Sequence, residues 1–274
     1  MAATGTMRDI SAGPIHDTPA AELRRPRRDE PYEPASNDKP LLLAHGGVLT
    51  VDRLGTVSYE PTWELQDELA QQRRERRIGD RLLLLEHFPV YTIGRGGDAS
   101  NLIASPQRLR DIGATFIRVD RGGDITFHGP GQLVAYPIVE LHDPLDLRRY
   151  VRTLEAAIIA TAAQFGVKAQ RVDGLTGVWI DGERKLAAIG VRVRRGVTTH
   201  GLAMNVNTDL RWFAEMVPCG IRDKEVTSLE RELGHRVEME AVEEALAAEL
   251  AQHLGLGLAS GMSGVVGPGG VAEQ

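Results

Sequence analysis

Two pairs of closely spaced glycines enclose a short segment near the middle of the chain and restrict how the backbone around it can fold. One pair, at 122–123, precedes the segment, and the other, Gly129 and Gly131, follows it. The alternating residues 125–128 predict a short strand, and residues 132–136 predict a second one. Because glycine lets backbone approach a neighbour closely, the stretch predicts either a turn between buried strands or one wall of a binding site.

The same stretch carries three polar side chains, Arg121, Thr126 and His128, which a purely structural hairpin rarely needs. Their density favours a binding site in which His128 could serve as a base. Phosphate binding is not favoured, because the chain lacks the phosphate-loop and dinucleotide-binding glycine patterns. A strand follows the stretch, so no helix N-terminus is available to hold an anion.

Composition argues against several functional classes. The 274 residues carry a formal net charge of −6, which does not favour nucleic acid as a partner. No run of about 18 apolar residues predicts a membrane span. Because the N-terminal residues also lack the pattern of a secretory signal, we expect a cytoplasmic protein with no membrane partner.

The composition also changes along the chain. Residues 1–39 are rich in Pro, Arg, Asp and Glu, and residues 255–274 are rich in Gly, Ser and Val. Both compositions are typical of disordered segments. We therefore predict a disordered N-terminal extension over 1–39, a single catalytic domain over 40–254 and a disordered tail over 255–274.

Helical periodicity occurs in three places. Residues 59–77 predict a helix that ends in four arginines: Arg73, Arg74, Arg76 and Arg77. Cations suit a helix C-terminus, so these arginines form either a solvated helix end or a docking surface for an acidic partner. Apolar residues recur at helical spacing over 147–165, between an N-cap at Asp143 and a stop at Gly166. A final amphipathic helix is predicted around 242–250.

The strand pattern indicates hairpins. Four leucines at 82–85 predict a strand buried on both faces. Strands over 176–180, 185–193 and 197–206 are separated by short turns, at 181–184 and 194–196, that favour antiparallel pairing. The fold class is therefore α/β (α+β), with a mixed, largely antiparallel sheet flanked by helices and no βαβ repeat.

The chain contains one cysteine, Cys219, between Pro218 and Gly220. It cannot form an internal disulfide or a cysteine-rich zinc site, and the scattered histidines form no cluster, so we expect no metal. The tight turn around Cys219 leaves a structural and a nucleophilic role equally open. A nucleophilic thiol needs help to ionise, and His128 and Lys185 are the best candidates, although Lys185 could also be a surface turn residue.

Small residues on two adjacent predicted strands suggest an apolar slot. Gly190 and Gly201 would line this slot together with Ala188, Leu202 and Ala203. Small side chains on a sheet face leave room for a slender aliphatic ligand, but they equally permit close packing against the sheet.

The sequence over 121–137, RGGDITFHGPGQLVAYP, resembles the signature of the lipoyl(octanoyl) transferase family. Further stretches resemble the family in the same order: PVYTIGR at 89–95, KLAAIG at 185–190, HGLAMN at 200–205, PCG at 218–220 and TSL at 227–229. The resemblance spans about residues 48 to 250 and implies the fold shared by biotin and lipoate-protein ligase catalytic domains.

The resemblance implies transfer of an octanoyl or lipoyl group from the thioester of acyl carrier protein to a lysine of lipoyl domains. Such domains belong to the E2 subunits of 2-oxoacid dehydrogenases and to the H protein of glycine cleavage. Cys219 would form an acyl-thioester intermediate. Lys185 would lower the pKa of the thiol and act as acid and base. Neither ATP nor any other cofactor nor a metal is implied.

The resemblance also implies which residues bind the acyl group. They are Arg121, Gly122, Gly123, Asp124, Ile125, Thr126, Phe127, His128, Ala188, Ile189, Gly190, Gly201, Leu202 and Ala203. His128 would then be a binding residue rather than the base. The chain departs from the family at two of these positions. Ala188 replaces the usual Ser, which leaves backbone N–H groups as the expected oxyanion donors, and Phe127 replaces the commoner Tyr.

Two alternatives stay open at this point. The first is an ATP-dependent lipoate or biotin ligase of the same fold, which would need no cysteine. The second is a non-catalytic acyl-binding protein in which Cys219 senses thiol oxidation.

Overall fold

The computed structural model describes residues 43, 46–141, 147–217 and 224–263, which lie in one compact unit, Ser36–Gln274. Cys219 and the predicted N-cap Asp143 lie outside the described residues. So does the predicted N-terminal extension over 1–39. The domain boundaries stay predictions.

The described strands form one large and one small sheet. They are β1 (Val48–Val57), β2 (Asp80–His87), β3 (Val90–Ile93), β4 (Thr115–Arg118), β5 (Ile125–His128), β6 (Gln132–Ile138), β7 (Gln170–Val172), β8 (Leu175–Ile180), β9 (Arg184–Arg194), β10 (Val197–Asn205), β11 (Glu225–Val226) and β12 (Gly257–Ser263). The large sheet has the order β12-β1-β2-β6-β10-β9-β8-β7, and β11 also pairs with β9. The small sheet has the order β4-β3-β5.

Pairing in the large sheet is mixed and largely antiparallel, which confirms the predicted fold class. Strands β2, β6, β10, β9, β8 and β7 are successively antiparallel, whereas β1 is parallel to both β2 and β12. The predicted turns allow the reversals, because Asp181 and Arg195 have positive φ values of 52° and 51°. Left-handed residues in short turns match the twist of the flanking strands.

The described helices cover both faces of the large sheet. They are α1 (Tyr59–Arg74), α2 (Pro106–Asp111), α3 (Leu147–Gln164), α4 (Leu229–Leu233) and α5 (Met239–Leu254), with 3₁₀ turns at Ala99–Asn101 and Leu210–Glu215. The predicted leucine strand shows the layering. Leu82 and Leu84 pack with α3 and α5, whereas Leu83 and Leu85 pack on the α1 side. This alternation confirms a strand buried on both faces.

Arg73 is not solvated as the helix-end pattern suggested. Its side chain is buried, and it donates to the carboxylates of Asp80, at 2.6 Å, and Glu140, at 2.8 Å. Asp80 begins β2 and Glu140 follows β6, so Arg73 joins the end of α1 to two neighbouring strands. Burial of the Arg73 side chain is tolerated because two carboxylates pair with its guanidinium.

The predicted disordered tail does not hold for residues 257–263, which form β12. This strand pairs with β1 in parallel, with Val48 opposite Gly257 and Thr50 opposite Ala259. Backbone pairing with β1 holds this edge strand, although most of its residues are small and Leu258 is exposed. A composition rich in small residues therefore did not reveal it, and residues 264–274 lie outside the described part.

Candidate active site

A cavity of about 290 Å³ lies on the α1 face of the large sheet, against the segment that leads into β5. Most of the predicted binding residues line it: Arg121, Gly123, Asp124, Ile125, Thr126, His128, Ala188, Ile189, Gly190, Gly201, Leu202 and Ala203. Lys185 lines it as well. The structure thus brings together two parts of the chain about 60 residues apart in sequence, as the family resemblance implied.

Gly122 and Phe127, two of the predicted binding residues, are not among the residues that line the cavity. The ring of Phe127 is fully buried in the small-sheet core, where it stacks on Trp212 with ring centroids 5.0 Å apart. Gly122 lies in the exposed bend, and its carbonyl accepts a hydrogen bond from Arg121 at 2.9 Å. Phe127 therefore packs the small sheet, and Gly122 orients Arg121.

Several lining residues were missed by sequence reasoning. They are Tyr59, Tyr136, Gly174, Leu175, Thr176, Trp179 and His200. Tyr136 and His200 lie inside stretches that already carried the family resemblance, which was the available signal. Tyr59 begins α1, and the remainder come from the loop and strand at β8, where no local pattern marks a ligand.

Lys185 faces the cavity because of a β-bulge. Val178 pairs with Ala187 but Trp179 pairs with Lys185, so Leu186 is an extra residue in β9. Strict alternation would place residues 185 and 188 on opposite faces, and the bulge places both on the cavity side. The Lys185 ammonium lies 5.1 Å from the centroid of the Trp179 ring, within range of a cation–π interaction.

Arg121 forms a buried wall of the cavity. Its guanidinium donates to the carbonyl and the hydroxyl of Thr92, each at 2.9 Å. Gly190 makes room for it, because a Cβ there would lie 2.9 Å from Arg121 Cδ. Gly190 and Gly201 line the cavity, as the slot hypothesis proposed, but neither leaves room for a side chain of its own. Arg121 fills the space at Gly190, and the backbone of Ala135 fills the space at Gly201.

His128 is held neutral within a hydrogen-bond chain. Its Nδ1 donates to the side-chain amide oxygen Oε1 of Gln132 at 2.8 Å. Its Nε2 is therefore the acceptor that faces the Thr92 hydroxyl at 3.3 Å. Gln132 continues the chain by donating to Asn205 at 2.9 Å. Burial holds the pKa of His128 well below its usual value, and His87 and Arg121 lower it further. This supports a positioning role for His128 rather than a role as a base.

A second buried histidine has a defined tautomer. His87 Nδ1 donates to the Val57 carbonyl at 3.0 Å, so its Nε2 accepts from the Tyr136 hydroxyl at 2.8 Å. Burial lowers the pKa of His87 to about 4 and raises the pKa of Tyr136 well above its usual value. Both groups are therefore neutral at physiological pH.

His200, in β10, and Tyr59, in α1, also line the cavity. His200 has a positive φ of 56°, and its Nε2 donates to Asp120 at 3.0 Å. Its Nδ1 faces the Tyr59 hydroxyl at 3.4 Å. Burial lowers the pKa of His200 although Asp120 acts in the opposite direction, and burial raises the pKa of Tyr59 to about 12.

Cys219 itself lies outside the described residues, but the chain on both sides of it reaches Lys185. Met216 and Val226 line a second cavity of about 20 Å³ together with Lys185 and Ala188. The N–H of Thr227 also donates to the Lys185 carbonyl at 2.9 Å.

Two absences concern the described residues alone. Within the described ranges, no three or more His, Cys, Asp or Glu side chains are grouped so that they could hold a metal ion. No helix in the same part of the chain is both long and apolar enough to cross a membrane.

The sequence of this chain was compared with those of known proteins and families. The chain matches the lipoyl protein ligase A/B catalytic domain over residues 58–251. It is 50% identical over 210 residues to the octanoyltransferase of Rubrobacter xylanophilus, covering 76% of this chain and 94% of that protein. The octanoyltransferase of Bacteroides fragilis is 48% identical over 205 residues, covering 71% of this chain and 92% of that protein.

Solved structures match the fold at lower identity. A bi-partite lipoate protein ligase from Thermoplasma acidophilum superposes with a TM-score of 0.63 at 20% identity, covering 79% of this chain and 87% of that one. A lipoate-protein ligase A bound with ATP gives a TM-score of 0.62 at 19% identity, covering 79% and 88%. These likenesses confirm the predicted lipoate-ligase-like fold.

Proposed function

The chain belongs to the octanoyltransferases and, with them, to the lipoyl protein ligase A/B family, and we propose that Cys219 and Lys185 perform its transfer of an octanoyl group. The donor in this proposal is octanoyl-acyl carrier protein. The acceptors are lipoyl domains, namely those of 2-oxoacid dehydrogenase E2 subunits and of the glycine cleavage H protein. The predicted cytoplasmic location is part of the same proposal.

The reaction proceeds in two balanced steps. In the first, the Cys219 thiolate attacks the thioester carbonyl, a new C–S bond forms, and the carrier leaves as a thiol after gaining the proton that Cys219 lost. In the second, a neutral lysine amine of the acceptor attacks the acyl-cysteine, an amide forms, and the Cys219 C–S bond breaks. Lys185 takes the proton from the amine and returns it to the sulfur.

One observation supports the proposed pairing of Cys219 with Lys185. Met216 and Val226, which flank the segment containing Cys219, line the same small cavity as Lys185. Lys185 is only 8% exposed and also lines the larger cavity, so it borders both spaces. A cysteine delivered between these flanking residues would meet the lysine at the cavity wall.

The larger cavity fits the acyl chain in this proposal. Apolar and small residues of β9 and β10 line it together with the polar side chains of Arg121, His200 and Tyr59. Ala188 presents a methyl group beside Lys185. Backbone N–H groups would therefore stabilise the oxyanion, since no hydroxyl stands at this position.

Intact-protein mass spectrometry tests the covalent step. The protein is mixed with octanoyl carrier protein in the absence of an acceptor. We expect one octanoyl group on the wild type, mapped to Cys219, and none on Cys219→Ala. A wild type that stays unmodified but still transfers octanoate would contradict the intermediate.

The two alternatives give different results with defined donors. A ligase of this fold would acylate a lipoyl domain from free octanoate and ATP, whereas the proposed transferase needs octanoyl carrier protein and no ATP. Transfer only in the presence of ATP would overturn the proposal. A thiol sensor would show no transfer with either donor, together with reversible oxidation of Cys219.

A further inference from the structure

Glu155 is a buried carboxylate that the proposed mechanism does not use. It lies on α3, its side chain is fully buried, and its neighbours Leu154 and Ile158 belong to the main core. Its Oε2 accepts from Arg152 Nη1 at 2.7 Å and lies 3.2 Å from Arg171 Nε. A buried ionised group is costly unless it is paired, so its placement calls for a specific reason.

The second carboxylate oxygen binds the backbone of the active-site strand. Glu155 Oε1 accepts from the N–H of Gly177 in β8 at 3.0 Å. Gly177 has a φ of +117°, and a Cβ at this position would lie 2.8 Å from Lys185 Cε. The backbone of Gly177 therefore forms the surface against which the Lys185 side chain lies.

We propose that Glu155 is a positioning residue, which holds Gly177 in place and thereby aims the Lys185 ammonium into the cavity. Glu155 packs on the α3 face of the sheet and Lys185 on the α1 face, so Glu155 acts through the strand. The inference rests on the proposed role of Lys185 in acyl transfer. Two neighbouring contacts, the Gly177 backbone and the Trp179 ring, then define the direction of the ammonium group.

Two conservative variants separate the contact of Glu155 with the Gly177 N–H from the charge of its carboxylate. Glu155→Asp keeps the charge, and the long arginine side chains can follow the shortened carboxylate, but the Gly177 N–H cannot. Glu155→Gln keeps an oxygen within reach of the Gly177 N–H but removes the carboxylate that Arg152 and Arg171 share.

We expect the variant that loses more activity to be the one that loses less stability. Glu155→Asp should keep most of its thermal stability and lose kcat, on the order of 10²-fold for a displaced catalytic group, with an unchanged KM for octanoyl carrier protein. Glu155→Gln should unfold at a lower temperature but keep a kcat close to that of the wild type. A merely structural role predicts that activity follows stability in both variants.

Asp52 provides the matched control. It is a buried carboxylate paired with Arg81 through two hydrogen bonds, and it does not line the cavity. Asp52→Asn should lower the unfolding temperature and leave kcat unchanged. A second test introduces Glu155→Asp into the Lys185→Ala variant. The double variant should show the same residual rate as Lys185→Ala alone.

Each outcome is decisive. Equal losses of kcat with and without Lys185, or a larger loss in Glu155→Gln than in Glu155→Asp, would overturn the inference. If Glu155→Asp fails to fold, a strong loss of kcat in Glu155→Gln overturns it instead. Failure of the wild type to transfer octanoate, or full activity of Lys185→Ala, would refute the proposed function and not this inference alone.

Discussion

At the scale of single residues, two neighbours restrict the orientation of the Lys185 ammonium group. A free lysine side chain has about 2 kcal/mol of rotamer entropy to lose when it is fixed in one orientation. Here the indole of Trp179 and the backbone of Gly177 already restrict the side chain before any substrate arrives. In the proposed mechanism, a nitrogen held in this way exchanges protons at a defined point of the cavity.

Lys185→Ala should lower turnover by about 10²- to 10⁴-fold, the range for loss of a general acid–base group. The fold should persist, as measured by circular dichroism and thermal unfolding, because the side chain borders open space. Lys185→Arg should also be slow, since a guanidinium does not release its proton. Lys168→Ala, at an exposed site, serves as the control. Turnover near the wild-type rate in Lys185→Arg would rule out proton transfer by this residue.

Gly190→Ala tests the packing of Arg121. The added methyl group would lie 2.9 Å from both Arg121 Cδ and the Gly122 carbonyl, so the guanidinium must shift. Overpacking of this kind costs about 1–3 kcal/mol. We expect a lower unfolding temperature and a raised KM for the octanoyl donor. Gly96→Ala, where nothing lies within 4 Å of the added Cβ, should behave as wild type. Equal behaviour of the two variants would contradict this role for Gly190.

The secondary-structure elements are joined at their ends by buried polar contacts. Arg73 closes α1 onto β2 and the end of β6, because its two carboxylate partners lie at the start of β2 and just after β6. Because Tyr59, at the other end of α1, lines the cavity, the placement of this helix affects the site directly.

Arg73→Leu should destabilise the protein by about 3–5 kcal/mol, because it removes the cation from a buried ion pair. The free energy of unfolding in denaturant measures the effect. Arg77→Leu is the matched control, since Arg77 pairs with Glu75 at the surface and should cost no more than about 1 kcal/mol. If the two variants are equally stable, Arg73 does not hold α1 to the sheet.

At the scale of the whole molecule, polar aromatic groups are concentrated where the two sheets and α1 meet. Tyr59 lies close to His87, with ring centroids 4.9 Å apart, and to His128, at 5.9 Å. Tyr136 and His200 complete this group. The opposite face of the large sheet carries the main apolar core with α3 and α5. The molecule thus keeps a rigid apolar layer on one side and a buried polar layer at the site.

The buried histidines predict acid sensitivity. His87, His128 and His200 all have pKa values lowered by burial, to about 4 for His87. Below about 6.5, the unfolded chain binds protons that the folded protein does not, so stability falls as pH decreases. Each such histidine contributes about 1.4 kcal/mol per pH unit until its folded pKa is reached.

Thermal unfolding between pH 7 and pH 4 measures this dependence. His87→Gln should flatten the loss of stability, because glutamine does not titrate. His235→Gln, at an exposed position, should leave the slope unchanged. A wild-type stability that rises on acidification over this range would contradict the assignment of neutral buried histidines.

Much of the fold could be predicted from local sequence patterns, and the candidate site from the family resemblance. Alternation identified the strands, turn residues identified the hairpins, and the apolar repeat identified α3. The family resemblance implied that the glycine-rich stretch and the small residues of β9 and β10 share one site, and they line one cavity. Local patterns sufficed for the elements because strand and helix periodicity report which face of each element is apolar.

The sequence by itself determined most of the described strands, the long helices and their largely antiparallel pairing, and the family resemblance indicated the residues proposed for acyl transfer. Tertiary structure decided which side chains share a surface. The bulge at Leu186 turned Lys185 towards Ala188, Phe127 turned away into the small sheet, and two carboxylates buried Arg73. These outcomes depend on register and on contacts between distant segments, which a local pattern does not encode.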